Sequence, residues 1–431
     1  MERLISLAGI FILTGLAYVF SEKKSSVSWV TLAGSLGLAL VFGALVFLIP
    51  QSKELFLFAN RAVLRLLSYA GEGAKFLFGP LALPPGTRGE NGEPSLGYFM
   101  AFQMLPAVIF FSALMSLLYY FFLLQPVVRC FAKVFHKFMR LSGAEALSVS
   151  SNIFVGVEAV FSIRPFLEKL TRSELFTVLT ACMASVASTT LAIYVSFLKD
   201  AFPSIAGHLI SASILSVPAS VMITKTMIPE TGEPLTMGKV PAEGRGVHSN
   251  FMAAIIDGAW EGMKLAAGIG TLLIAILGLV AMLNAFIHRG GLFLPGQPDL
   301  SLEKILGWLM IPFAWCLGLS PHDLVPASRL LGERWILTEV VAYRDLAGFL
   351  AQGLIQDPRT VVVMSYVLCG FTHVASVAIF VGGISALVPG RRDEIAGLGF
   401  KALFAAFLAT LITGCIAGVF FSASQGTVLF L

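Results

Sequence analysis

Residues 151–190 read SNIFVGVEAVFSIRPFLEKLTRSELFTVLTACMASVASTT, and this stretch decides the fold. Its first part is apolar enough to enter a bilayer, yet Glu158 sits in the middle of it. Residues 143–170 are therefore too polar and too broken for a simple span, and are expected to form a helical hairpin that enters the membrane and returns. A small-residue-rich span over 174–198 and a further hydrophobic helix over 205–228 follow it.

The same order recurs later in the chain. Residues 302–350 carry Glu339 in an otherwise apolar segment and read as a second hairpin, followed by spans at 359–389 and 396–424. Val186-Ala187-Ser188 after the first hairpin is echoed by Val374-Ala375-Ser376 after the second, and Glu158 with Arg164 by Glu339 with Arg344. Half the chain thus reads as a duplication.

The remainder fits a membrane protein. Of 431 residues 57% are hydrophobic and 13% charged, with a mean hydropathy of +0.87, far from the balance of a soluble domain. Runs at Leu4–Phe20, Val30–Ile49, Phe99–Leu124, Leu265–Phe286 and Phe400–Phe421 are long enough to cross the hydrocarbon core. The alternating segments of about ten residues that build a β-barrel are absent from the sequence. The net charge of +4 is spread over short loops rather than gathered into a stripe, which excludes a nucleic-acid footprint. The five cysteines form no CxxC pair and read as packing residues. Ala17-Tyr18-Val19-Phe20 is a poor cleavage site, so the first span reads as a retained helix and not a signal peptide.

Basic clusters at Lys23-Lys24, Arg129–Arg140, Lys225–Arg245 and Arg391-Arg392 are placed in the cytoplasm by the positive-inside rule. One topology satisfies all four. The N-terminus lies outside, spans at 4–20 and 28–50 lead in and out, an amphipathic segment at 53–78 lies on the outer interface, and the span at 97–125 returns to the cytoplasm. The Gly/Pro-rich stretch Gly79–Pro94 is an exposed loop. The hairpins then enter from opposite sides, the plan in which discontinuous helices meet at the midplane around a solute and an ion. The fold class expected is an all-α polytopic membrane protein of about eight transmembrane helices plus two re-entrant helical hairpins in an inverted repeat. Residues 1–142 are expected as scaffold helices with the interfacial helix, 143–228 and 301–431 as the two parts of a transport portion, and 229–300 as a cytoplasmic loop and scaffold helix.

Charge at membrane depth is costly unless it faces a cavity or a partner, so Glu158 and Glu339 are the first functional candidates. The competing reading is two structural acids paired with Arg164 and Arg344. Asn152–Gly156 reads as a helix ending before a hairpin turn, where freed carbonyls and the Asn oxygen can hold a hard cation, or where Asn simply caps the turn. The hydroxyls of Ser185, Ser188, Thr189 and Thr190 either serve the site or bond back to their own helix. Around Gly370, unwinding would let Phe371 present a ring face and His373 and Ser376 hydrogen bonds, against the plainer reading of a packed histidine.

NIFVG with a following Glu-Ala, IRPFLEKLTRSEL, TEVVAY, CGFTHVASVAI and VPGRRDEI resemble, in order, the signature segments of the concentrative nucleoside transporter family, over roughly residues 97–424. The resemblance implies a bacterial inner-membrane (plasma-membrane), multi-pass homotrimer, surrounded by lipid and without nucleic-acid partners. It implies symport of a nucleoside-like solute by an elevator-like movement, with Na⁺, or alternatively H⁺, as coupling ion and no cofactor. It assigns Asn152, Ser185 and the carbonyls of Val155 and Val186 to Na⁺. Gly156, Val157 and Glu158 fall at a tip that reads the base, Thr190 and Phe371 line the base, and Glu339, His373 and Ser376 meet ribose hydroxyls.

Three positions depart from that pattern. The tip Gly156-Val157-Glu158 is one residue shorter than the usual Gly-Gln-Thr-Glu, Phe371-Thr372-His373 stands where Phe-Ala-Asn is usual, and Thr338 precedes Glu339 in place of Asn. An altered or less polar base, or another ribosyl compound, follows from lost hydrogen-bonding groups. The alternative is a non-transporting nucleoside-binding or sensing membrane protein on the same scaffold. An enzyme is not expected, because the six histidines are scattered and no G-x-S-x-G elbow or Cys/His arrangement occurs.

Overall fold

The computed structural model describes residues 1–48, 50–89, 92–241, 250–291 and 300–421. These residues are helical and connecting segments, with one isolated β-bridge between Arg88 and Pro94. Helices α1 (Glu2–Val19) and α2 (Trp29–Leu48) are the first two expected spans, and the amphipathic segment is one helix, α3 (Pro50–Phe78). The next span is divided into a single turn, α4 (Met100–Gln103), and α5 (Leu105–Tyr120). The basic patch lies on α6 (Gln125–Met139), which Arg140 ends in the left-handed conformation with φ 53°. Then come α7 (Gly143–Val155), α8 (Arg172–Ala184), α9 (Ser188–Leu198), α10 (Ile205–Met227) and the 41-residue α11 (Phe251–Gly291). The last part holds α12 (Leu302–Cys316), α13 (Leu324–Ile336), α14 (Glu339–Ala351), α15 (Pro358–Val367), α16 (Val374–Leu387) and α17 (Arg392–Phe420).

Among the described residues, seven stretches are long and apolar enough to cross a membrane: Glu2–Val19, Trp29–Leu48, Met100–Tyr120, Arg172–Leu198, Ile205–Met227, Phe251–Arg289 and Pro389–Phe420. The span expected at 359–389 is broken into α15 and α16, which leaves Val374–Leu387 as a shorter apolar helix.

The first hairpin begins where Ser142 and Glu145 cap α7 reciprocally. It turns at Gly156, whose φ 65° and ψ −134° suit a residue without Cβ. Its returning arm, Gly156–Lys169, is a 3₁₀ helix containing Pro165. The segment 302–350, expected as one hairpin, divides into three helices. Gly318 at φ 67° stops the chain after α12, and the Asp323 carboxylate fixes the start of α13 by accepting the backbone N–H groups of Gln356 and Asp357. The paired arms are thus α13 and α14, bent at Leu337-Thr338. α12 lies along α13 through small residues, since a Cβ on Gly332 would stand 2.7 Å from Leu306.

Helices α8, α10 and α17 are buried on nearly all sides along most of their length and form the core. α1 and α2 dock on this core: a Cβ on Gly9 would lie 2.1 Å from the Cys316 carbonyl oxygen, and one on Gly43 would lie 2.8 Å from the Phe420 ring. α5 pairs with α11 and packs its other side on α9 and α3. Gly258 and Gly262, spaced as G-x-x-x-G, admit the α5 backbone, a Cβ on Gly262 standing 2.7 Å from Ile109 Cα. The rest of α11 is largely open, with Ile274 80% exposed.

Gly9→Ala is expected to destabilise the protein by about 1–3 kcal/mol, because an added methyl meets backbone that cannot yield. Gly15→Ala, with open space around it, is the control and should leave the thermal midpoint in place. Equal midpoints for the two variants would show that α1 does not dock as described.

Candidate functional site

The two halves meet where their helices are interrupted. α8 ends at Ala184 and α9 resumes at Ser188, while α15 ends at Val367 and α16 resumes at Val374. These breaks lie back to back: a Cβ on Gly370 would come within 3.1 Å of Ala184 backbone and 2.8 Å of the Thr410 methyl. Interrupting a helix frees backbone groups, which is tolerated at membrane depth only where a cavity or other protein groups receive them.

Around the second break, Glu339 in the first turn of α14 is 3% exposed. Tyr194 Oη on α9 donates to Glu339 Oε1 at 2.9 Å, and His373 Nε2 lies 3.1 Å from Glu339 Oε2. The Ser376 N–H donates to His373 Nδ1 at 3.2 Å and the Ser376 hydroxyl to the His373 carbonyl at 2.6 Å. With Nδ1 accepting, a neutral His373 carries its proton on Nε2 and turns it towards the acid. The Nε2 contact is close but off the axis of a well-formed hydrogen bond, so Glu339 Oε2 remains a buried acceptor with capacity to spare. The competing assignment of Glu339 to Arg344 is corrected here: Arg344 pairs with its neighbour Asp345 at 2.7 Å. A guanidinium 53% exposed gains more from water and an adjacent carboxylate than from turning into a buried break.

Around the first break, the Asn152 amide donates to the Ala181 carbonyl at 2.7 Å and to the Ser185 hydroxyl. Its Oδ1 is buried without a partner. The Val186 carbonyl accepts from Ser213 at 3.3 Å and retains a second lone pair. Neutral amide, hydroxyl and carbonyl oxygens suit a hard monovalent cation, whereas a divalent one draws carboxylates. Among the described residues no group of three His, Cys, Asp or Glu could hold a metal. The donors present fit Na⁺.

Thr190 is buried and donates to the Ala187 carbonyl at 3.1 Å, and Phe371 is half-buried with its ring 5.9 Å from that of Phe380. Gly156 and Val155 form the turn of the first hairpin, whose returning arm packs on α8 and on α16, the helix of Ser376. The side chains of Val157 and Glu158 lie outside the described residues.

Two contributors escaped the sequence reading. Tyr194 lies four residues after Thr190, one turn along the same face, a spacing that could have exposed it. Tyr343 stacks on Tyr194 with ring centroids 4.5 Å apart and donates to the Ser365 carbonyl at 2.7 Å. The other is Arg334, wholly buried, which donates to the Val367 carbonyl and, at 3.2 Å, to the Thr410 hydroxyl. It thus places positive charge at the C-terminus of α15, where the helix dipole favours it. The rule that singled out Glu339, charge at membrane depth, applies equally to Arg334.

Comparison with known proteins adds to this geometry. The family description "Na+ dependent nucleoside transporter C-terminus" matches residues 208–418, its N-terminus counterpart residues 8–81, and "Nucleoside recognition" residues 101–201. The chain is similar to nucleoside permease NupC of Helicobacter pylori, 34% identical over 97% of this chain and 98% of that protein. It is also similar to solute carrier family 28 member 3 of Homo sapiens, 32% identical over 97% of this chain and 60% of that protein. Among solved structures, CNTnw in an inward-facing substrate-bound state is 33% identical with a TM-score of 0.87, covering 97% of this chain and 98% of that one. A substituted CNTnw in an outward-facing state is 34% identical with a TM-score of 0.88, covering 97% and 99%.

Proposed function

We propose that this chain, which belongs to the Na⁺ dependent nucleoside transporter family, carries a nucleoside or related ribosyl compound across the membrane together with Na⁺. It is a multi-pass transporter of the bacterial inner membrane and not an enzyme. The observation that carries the coupling is the juxtaposition of two kinds of oxygen at back-to-back helix breaks. Asn152 Oδ1 is buried and unpartnered beside Ser185, and Glu339 Oε2 is a buried acceptor with spare capacity on the other side.

In this reading Asn152, Ser185 and the carbonyls of Val155 and Val186 hold Na⁺. Glu339 and Ser376 receive ribose hydroxyls with His373, Thr190 and Phe371 line the base, and the first hairpin tip at Gly156, Val157 and Glu158 closes over it. A cation on the first break fixes the end of α7 and so the tip, which gives the ion a stake in solute binding. His373 in place of the amide offers one donor along the ring edge, and favours a base or sugar edge that accepts there.

The moving body of an elevator would comprise both hairpins, their following helices, and also α1 and α2. Residues 2–48 interlock with α12 and α17 through Gly9 and Gly43, and Arg359 Nη2 donates to Ser6 at 2.8 Å. The scaffold reduces to α5 and α11, whose open apolar flank supports a homotrimer. This grouping differs from the one expected from the sequence, in which residues 1–142 and the helix within 229–300 form the scaffold.

The test is uptake into liposomes with Na⁺ and pH gradients imposed separately. An inward Na⁺ gradient should drive accumulation of at least one labelled nucleoside, and Asn152→Ala should abolish the Na⁺ dependence. Accumulation under a pH gradient alone would transfer the coupling to H⁺. Failure of a broad nucleoside panel, with ligand binding intact, would leave a receptor in place of a transporter.

A further inference from the structure

On the side that the positive-inside rule assigns to the cytoplasm, the amphipathic helix α6 is divided between two environments. Val128, Ala132, Phe135 and Met139 are fully buried, and pack with α2 and α7. The opposite side presents Arg129 and Lys133, one turn apart, followed by Lys137, and α6 contains no acidic residue. Among the described residues neither Arg129 nor Lys133 forms an ion pair. Just before α6, the turn Phe121-Phe122-Leu123 leaves all three apolar side chains more than half exposed.

Between these features lies a cleft of about 550 Å³ lined by Phe122, Gln125, Pro126, Arg129, Cys130, Lys133 and Val134. Gln125 is 7% exposed; its amide donates to the Tyr119 carbonyl at 2.6 Å, while its Oε1 has no partner. The cleft therefore combines an apolar wall with two cations that have no ion-pair partner among the described residues. It opens just beyond the end of the apolar helix α5, on the side where the positive-inside rule sets the inner leaflet.

We propose that this cleft binds the headgroup of an anionic phospholipid. Arg129 and Lys133 take the phosphate, and the acyl chains run along Phe122 and Val134. An amphipathic helix with basic residues over an apolar seat is the arrangement that anionic leaflets attract. The exposed turn Phe121–Leu123 commits the site to a lipid over a free anion, since inorganic phosphate covers no apolar surface. α6 leads through Arg140 and Leu141 directly into the Ser142 cap of α7, so a bound lipid would tie the base of the first hairpin to the inner leaflet.

The full chain, purified in a neutral detergent, is titrated with phosphatidylglycerol and its thermal midpoint followed. Phosphatidylglycerol should raise the midpoint, and phosphatidylcholine and inorganic phosphate should not. Arg129→Gln with Lys133→Gln should weaken the half-saturating lipid concentration by about 25-fold, at about fivefold for each basic residue at an anionic surface. Removing two exposed charges elsewhere, with Arg61→Gln and Arg65→Gln, should leave it unchanged. Equal stabilisation by inorganic phosphate, or equal loss in the Arg61/Arg65 variant, would overturn the site. A lipid-free midpoint matching the wild type establishes that the variants fold.

Discussion

Glu339→Gln is expected to cut nucleoside uptake by about 100-fold while leaving the protein folded. The carboxylate accepts from Tyr194 Oη at 2.9 Å and stands 3.1 Å from His373 Nε2, which neutral histidine presents as a donor. Glutamine has one acceptor to divide between these and a substrate hydroxyl, and its NH₂ group opposes whichever donor it faces. Hydrogen bonds to a charged acceptor contribute about 1.5–3 kcal/mol each, so losing the stronger end of that range corresponds to the expected factor. Tyr194→Phe removes a donor that only positions the acid and should cost less, about fivefold, at about 1 kcal/mol for an ordinary hydrogen bond. Binding measured by calorimetry, with thermal unfolding as the check on folding, separates the two. Glu339→Gln with wild-type affinity would remove the acid from the solute site.

That Glu339 would be held among polar partners was legible in the sequence because the cost of charge in lipid depends on one residue and its depth. The identity of those partners was not legible. Arg344 is near in sequence and points outward to Asp345, whereas Tyr194 is 145 positions away and reaches the acid only after the repeats fold together. Only the second break was anticipated, as unwinding around Gly370; Ser185–Thr190 reads as part of one span over 174–198, and the interruption between α8 and α9 was not expected. Hydroxyl-rich Ser185–Thr190 and Gly370–Ser376 contain residues that satisfy their own backbone locally, and the helices stop there. The second hairpin was drawn too long because the charged residues of 302–350, among them Asp323 and Arg334, do not by themselves mark where one helix stops and the next begins. What separates α12 from α13 is Gly318 at positive φ and Asp323 reaching to Gln356 and Asp357, and both are tertiary facts. The docking of α1 and α2 turns likewise on glycines whose missing Cβ matters only once the facing backbone is known.

Lys225→Met is expected to destabilise the protein by about 3–5 kcal/mol, the cost of leaving a buried acid without its cation. Lys225, in the last turn of α10 and 6% exposed, donates to the Glu145 carboxylate and to Ser173 Oγ at 3.0 Å, with Glu230 3.8 Å away. Glu145 also closes the cap of α7, accepting the Ser142 N–H at 3.1 Å, and Glu174 caps α8 in the same manner from Thr171. Losing the cation thus leaves Glu145, Glu174 and Glu230 as neighbouring acids, with two helix starts dependent on them. Adding Glu145→Gln to Lys225→Met should recover most of the loss, since removing both members of a buried pair is far cheaper than removing one. Thermal unfolding of the four members of this cycle measures the coupling, and additive effects would show that the pair does not hold the hairpin. The cluster fixes the base of the first hairpin to α8 and α10, while the turn at Gly156 has backbone freedom that no other residue type supplies. Any opening of that hairpin is therefore expected at its tip, beside Asn152 and the second break, and not at its base.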